Sequence, residues 1–315
     1  MKDAPHGNHG KFVDPLVTAD GAERASVSLN NPETLWFNTG TLCNIECANC
    51  YILSSPTNDA LVYLTTDDVE SYLDQLEDRA WGVREIAFTG GEPFMNPAMI
   101  DMARASLRRG YDVLILTNAM KPMMRPRVQK GLEALHSDFP GKLTLRVSLD
   151  YYAAPEHDAE RGAGSFAETL KGMAWLRDTG ITMAVAGRMA MAESEAEARA
   201  GYAALYSTHN FKIDAQNPSI TVLFPEMDED VPVPEITTAC WGILDKHPDS
   251  VMCSSSRMVV KRKGAEAPSV LACTLLPYDK QFDLGATLEE AEADVRLNHP
   301  HCAKFCVLGG ASCSA

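Results

Sequence analysis

The sequence predicts an α/β fold in which parallel strands wrap into a partial six-stranded (β/α)6 barrel of TIM-like kind, followed by a small cysteine-rich α+β extension. Three observations predict it. From residue 35 to about 225, short apolar runs alternate with longer stretches whose apolar residues recur at three- and four-residue spacing, the pattern of βα units around a parallel sheet. Residues that carry chemistry fall at or just past the ends of the short runs, where such folds gather their sites. With 315 residues, 45% of them hydrophobic, the chain can bury one large core and still build an appendage.

In chain order, residues 1–33 are polar, rich in Gly, Pro and Asn, and read as an arm lying on the body. His6 and His9 within it read as solvated histidines, not as a metal pair. Strands are predicted at 35–38, 85–89, 113–117, 143–149, 181–188 and 220–224. Helices are predicted between them at 67–78, 97–109, 125–137, 165–179 and 194–208. Six strands with five helices favour an open barrel over a closed eight-fold one. Ser165 and Glu168 have the spacing of a capping box, and Gly180 stands as the stop signal of the same helix. The proline- and acid-rich run 225–234 sets the boundary between a barrel at 34–225 and a C-terminal domain at 226–315. That domain opens with a short helical stretch near Cys240 and Trp241, with Cys240 read as a buried thiol. A hairpin with strands at 257–261 and 269–272 follows, and the chain ends in a run containing Cys302, Cys306 and Cys313.

The most specific chemical signal is Cys43, Cys47 and Cys50, spaced C-x3-C-x2-C. Three thiolates so spaced can grip three corners of an iron–sulfur cluster and leave the fourth iron open to a substrate or cosubstrate. A structural zinc site would recruit a fourth Cys or His close by, and the sequence after Cys50 offers neither until His136. One βα unit downstream lies Phe88-Thr-Gly-Gly-Glu-Pro-Phe94. Its glycines let backbone pass close to a ligand, and Glu92 supplies a carboxylate able to hold an ammonium group, so an amino-acid-like cosubstrate suits the turn. Arg188, closing the fifth strand, has a guanidinium able to hold a carboxylate in two parallel bonds.

Cysteine triad and Gly-Gly-Glu-Pro turn, in that order, resemble the radical S-adenosylmethionine (radical SAM) superfamily. The resemblance implies a [4Fe–4S] cluster on Cys43, Cys47 and Cys50, with S-adenosylmethionine bound at its open iron. Cluster reduction then cleaves the sulfonium to a 5′-deoxyadenosyl radical that abstracts hydrogen from a substrate. The resemblance extends to Gly90, Gly91, Glu92 and Pro93, and to Tyr51, placed where the superfamily sets an aromatic residue against the adenine. It also covers Ser148 and Asp150, like the strand-end residues that contact the ribose, and the strand-end pair Thr117-Asn118. The stretch 148–166, with His157, Asp158 and Arg161, resembles members carrying a SPASM or Twitch extension. In it an Asp158–Arg161 ion pair would order a substrate-side lid. Cys253, Cys273, Cys302 and Cys306 resemble the Twitch set that holds one auxiliary [4Fe–4S] cluster. Their last spacing departs from the usual C-x2-C, so Cys313 stands as a substitute for Cys306, and zinc as the runner-up for that site.

Composition narrows the partners. A formal charge of −15 disfavours nucleic acid, and the densest basic stretch, from Arg104 to Arg127, reads as a solvated face. No run approaches the length of a membrane span, no signal-peptide pattern opens the chain, and nine cysteines suit metal ligation in a reducing cytoplasm. The resemblance also implies a low-potential donor such as flavodoxin or ferredoxin. A peptide or a small metabolite is the substrate. A non-catalytic iron–sulfur electron carrier or a zinc-stabilised interaction module is the alternative from another class.

Overall fold

The computed structural model describes residues 10–189, 193–225 and 232–309; His6, His9, Cys313 and most of the 225–234 connector lie outside them. In chain order the strands are β1 (Ser26–Val27), β2 (Thr34–Asn38), β3 (Glu85–Thr89), β4 (Asp112–Thr117), β5 (Leu143–Ser148), β6 (Thr182–Met189), β7 (Thr221–Pro225), β8 (Ser256–Val260), β9 (Ser269–Leu271) and β10 (Val295–Arg296). The helices are α1 (Thr66–Arg79), α2 (Met99–Arg108), α3 (Pro126–Asp138), α4 (Ala154–Arg161), α5 (Ser165–Thr179), α6 (Glu195–Thr208) and α7 (Cys240–Ile243). All six predicted strands form, in the parallel order β2 to β7.

The predicted hairpin also forms, as β8 antiparallel to β9, but it is not a sheet of its own. β8 runs parallel to β2, pairing Thr34 with Ser256 through Phe37 with Val259, so one eight-stranded sheet has the order β7-β6-β5-β4-β3-β2-β8-β9. Both faces of β2 are buried, as a parallel strand between two layers requires. Leu35 and Phe37 face the helices, in a core shared with Leu73, Met102, Leu132 and Leu176. Trp36 faces the other way, with Leu114, Met258 and Leu271. A separate core of Val251, Phe282, Leu297 and Phe305 takes in Ala25 and Val27 of the N-terminal arm. The arm is therefore woven into the C-terminal region through β1, which pairs with β10.

Local chemistry explains the helix ends. Capping boxes start α1 at Thr65/Asp68 and α6 at Ser194/Glu197. The box expected at Ser165/Glu168 does not form. Asp158 takes its place, accepting from the Gly164 and Phe166 N–H groups at 2.7 and 2.8 Å and from the Ser165 hydroxyl at 3.0 Å, while Glu168 pairs with Lys171. Gly180 ends α5 in the left-handed region at φ 77°, as expected. The helix α4 went unread because it is short, begins at a proline and buries only His157. Within the basic stretch Arg104 pairs with Asp138 and Arg109 with Asp74 and Glu77, while Arg108, Lys121, Arg125 and Arg127 are exposed.

Candidate active site

The loop after β2 carries the three cysteines, and the turn after β3 pins it. Thr39 donates its N–H to Thr89 O (2.8 Å), Gly91 to Gly40 O (2.8 Å) and Glu92 to Leu42 O (3.2 Å). A Cβ on Gly90, at φ 143°, would stand 2.6 Å from Gly40 O; one on Gly91 would stand 2.3 Å from Leu42 O. The glycines are thus required by the cysteine loop packed against them, more directly than by a ligand.

Loop and turn open onto one cavity with about 1190 Å³ of empty space, partly exposed to solvent. Cys43, Cys47, Cys50 and Tyr51 line it from the loop; Gly90, Gly91 and Pro93 line it from the turn. Asn118, Ser148, Asp150 and Arg188 line it from the ends of β4, β5 and β6. Glu92 is the exception. Its carboxylate is buried and turned inward, accepting from the Thr117 hydroxyl (2.8 Å), Asn118 N–H (2.8 Å) and Phe94 N–H (3.3 Å), so it is not open to an ammonium group. Burial pushes its carboxyl up to about 7 against the pull of those donors. What Glu92 does hold is Asn118, whose amide reaches Asn44 Oδ1 at 2.9 Å and lies 4.0 Å from Cys43 Sγ.

Arg161, read from sequence as the partner of Asp158, instead forks onto Asp150 at 2.6 and 3.0 Å. Asp158 is occupied as the cap of α5, which leaves Arg161 free to turn into the barrel. Arg188 approaches the same carboxylate at 3.5 Å, donates to Asn49 O at 2.7 Å and lies over the Tyr51 ring. Burial alone would push the Asp150 carboxyl up; the Arg161 charge overrides it and holds the group below the usual carboxylate range. Arg188 is therefore shared with protein groups and not reserved for a ligand carboxylate. Sequence reading also missed the apolar side of the cavity, formed by Trp36, Leu116, Phe224, Leu275 and Phe305. Phe305 stacks on Phe224 (5.4 Å) and meets Tyr51 edge-on (6.1 Å), which brings the C-terminal region against the cysteine loop.

At the C-terminal end, Cys253 and Cys302 are buried and Cys273 and Cys306 half-buried around the same small core. Cys302 lies within electrostatic reach of both Cys253 and Cys273. Cys302 and Cys306 sit on a π-helical stretch, Cys302–Leu308, a rare local form that is frequent at functional sites. Cys240, expected as a buried thiol, is half-buried at the start of α7, with the Thr237 N–H and hydroxyl 3.4 Å from its sulfur.

The residues present fit a cluster. Among the described residues, three thiols and no histidine or fourth cysteine line the cavity. Burial pushes the Cys43 thiol up to about 12 and Cys47 upward too, whereas ligation needs thiolates. Arg161 and Arg188 converge on the one Asp150 carboxylate, and the positive charge they leave in excess lies within electrostatic reach of Cys47. Among the described residues no three Cys, His, Asp or Glu side chains converge on a point suited to a single ion. A four-iron cube takes its ligands at separate corners.

Comparison with known proteins places this arrangement. The chain is 35% identical over 145 residues to the antilisterial bacteriocin subtilosin biosynthesis protein AlbA of Bacillus subtilis strain 168, covering 46% of this chain and 30% of that protein. It is 30% identical over 149 residues to the AdoMet-dependent heme synthase of Methanosarcina barkeri, covering 47% and 40%. The matches thus span less than half the length of either relative. Among solved structures, Streptococcus suis SuiB bound to precursor peptide SuiA shares the fold, with a TM-score of 0.59 at 12% identity over 82% of this chain and 63% of that one. The profile of the radical SAM superfamily matches residues 37–198. Because that match runs from within β2 into α6 and takes in both the cysteine loop and the glycine turn that pins it, the chain belongs to the radical SAM superfamily.

Proposed function

We propose that this chain is a radical SAM enzyme that modifies a peptide, and the observation that carries the reading is the single cavity shared by Cys43, Cys47, Cys50, the glycine turn and the strand-end residues. A [4Fe–4S] cluster on the three cysteines, with S-adenosylmethionine on its open iron, would supply the reductive cleavage that yields a 5′-deoxyadenosyl radical. The protein's own part is placement and shielding. Gly90 and Gly91 set the cysteine loop, Asp150 holds Arg161 and Arg188 around the rim, and Tyr51, Phe224 and Phe305 keep water from the apolar side. Cosubstrate contacts fall to Tyr51, Asn118, Ser148 and Asp150.

An auxiliary [4Fe–4S] cluster would rest on Cys253, Cys273 and Cys302 with Cys306 or Cys313 as the fourth ligand, assisting oxidation or binding substrate. A flavodoxin or ferredoxin would deliver electrons in the cytoplasm; among the described residues no helix is long and apolar enough to cross a membrane. The bacteriocin-biosynthesis relative and the peptide bound to SuiB favour a ribosomally made peptide. The heme synthase relative keeps a small metabolite as the second reading.

The test is iron and sulfide content after oxygen-free reconstitution, followed by 5′-deoxyadenosine release under dithionite. About eight irons with deoxyadenosine supports both clusters. About four irons with deoxyadenosine keeps the first and rejects the second. Zinc with no deoxyadenosine rejects the enzyme reading. In Cys50→Ala, cleavage should vanish while about four irons remain.

A further inference from the structure

Two arginines are among the largest fully buried side chains of the molecule, Arg24 and Arg257. Arg24 has a carboxylate to meet its charge: Glu235 accepts from its Nη2 at 2.5 Å. Arg257 has none. It sits on β8, 1% exposed, and its guanidinium donates only to backbone carbonyls: Cys253 O at 2.6 Å, Ala291 O at 2.8 Å, Ser256 O at 2.9 Å and Ala293 O at 3.4 Å. Among the described residues it makes no ion pair, and the nearest acidic group felt there, Asp294, is exposed.

A guanidinium is permanently charged, and burying one without an anion is costly unless something else supplies the charge. The ionisable side chain beside it is a cysteine. Arg257 bonds the carbonyl of Cys253, and the two side chains lie within electrostatic reach of each other. Cys302 in turn lies within reach of Cys253 and Cys273. A four-iron cluster on thiolates is anionic and becomes more so on reduction, and its net charge and surroundings set its potential.

We propose that Arg257 is the built-in counter-charge of the C-terminal cysteine site, helping to retain an anionic iron–sulfur cluster on Cys253, Cys273 and Cys302 and raising its reduction potential. It is a positioning residue, not a ligand, and its role rests on the auxiliary-cluster reading above. The buried cation favours the added electron, so its removal lowers the potential and loosens the cluster. A merely structural Arg257, tying β8 to the 291–293 turn through carbonyls, would depend on its hydrogen bonds and not on its charge.

The experiment uses the full chain with Cys43, Cys47 and Cys50 all changed to Ala, so that any cluster signal belongs to the C-terminal site. Iron content and an EPR-followed redox titration are read in this parent, in Arg257→Gln and in Arg257→Lys. Expected are about four irons in the parent. The neutral Gln variant should lose iron or show a lower midpoint potential, and the charged Lys variant should stay close to the parent. A Gln variant with the parent's iron and potential overturns the proposal, as does a Lys variant that falls as far as Gln. Should Gln not fold, the Lys variant decides: loss of iron or a lowered potential with the charge retained overturns it. Thermal unfolding adds a second readout. The Gln change should destabilise the loaded protein more than the iron-free one, and equal destabilisation of both indicates a structural tie alone. A parent that binds no iron rejects the auxiliary-cluster reading itself, and this inference with it.

Discussion

Gly91 shows how a site can hang on one absent methyl group. A Cβ there would lie 2.3 Å from Leu42 O, inside the backbone of the cysteine loop. Gly91→Ala should therefore displace the loop, costing about 1–3 kcal/mol of stability, with loss of about four irons as the measured result. Asp150 is the second residue on which the site depends. It is the ion-pair partner of Arg161, with both side chains almost wholly buried. Asp150→Asn leaves Arg161 buried without its anion, and a loss of about 3–5 kcal/mol is expected in urea unfolding at neutral pH. The Asp150 carboxyl is held below its usual range, so its contribution is present above the unfolded value and is lost as pH falls through the folded one. The Asn variant should accordingly come closer to wild type in strong acid.

At the scale of the element, α4 has the least obvious sequence and the most consequence. It places Asp158 to cap α5, turns Arg161 inward and buries His157, whose ring meets Phe166 edge-on. Neither ring nitrogen of His157 has a hydrogen-bond partner among the described residues, and burial lowers its pKa from 6.5 to about 4. A neutral buried histidine stabilises the fold above the unfolded value, and that stability is lost as pH falls towards the folded one. Glu92 acts in the opposite sense, because its carboxyl is raised to about 7 and its contribution fades as pH rises. Wild type alone therefore conceals both slopes. In His157→Phe the Glu92 slope remains, so between pH 7 and pH 5 the variant should gain about 2 kcal/mol relative to wild type by urea midpoint. No relative gain would mean that the ring finds a proton acceptor in solution.

For the whole molecule, the sheet does not end where the barrel motifs end. β8 covers the outer edge of β2, and Trp36 packs with Met258, Val260 and Leu271 from the hairpin. A fragment ending at residue 225 would expose that parallel edge together with its apolar face, and open edges of this kind invite association. It is expected to aggregate or elute as oligomers in size-exclusion chromatography, where the full chain elutes as a discrete species. A monomeric, cooperatively folding fragment would show that β8 and β9 are dispensable to the barrel.

Periodicity and motif spacing determined much of this protein before any coordinates. Six strands, five of the six longer helices that separate or flank them, the hairpin and the motif-bearing polar side of the cavity were legible, because apolar alternation and strand-end chemistry are local properties of the chain. Only the tertiary structure decided what those residues do to one another. Glu92 carries the same carboxylate in either reading, but the donors at Thr117 and Asn118 that turn it inward come from a different strand. Arg161 has two acidic groups within reach along the chain, and the capping of α5 by Asp158 settles which one it takes. The pairing of β8 with β2 joins residues more than 200 positions apart. Partner choice of this kind depends on which surfaces the completed sheet brings together, and local sequence carries no record of it.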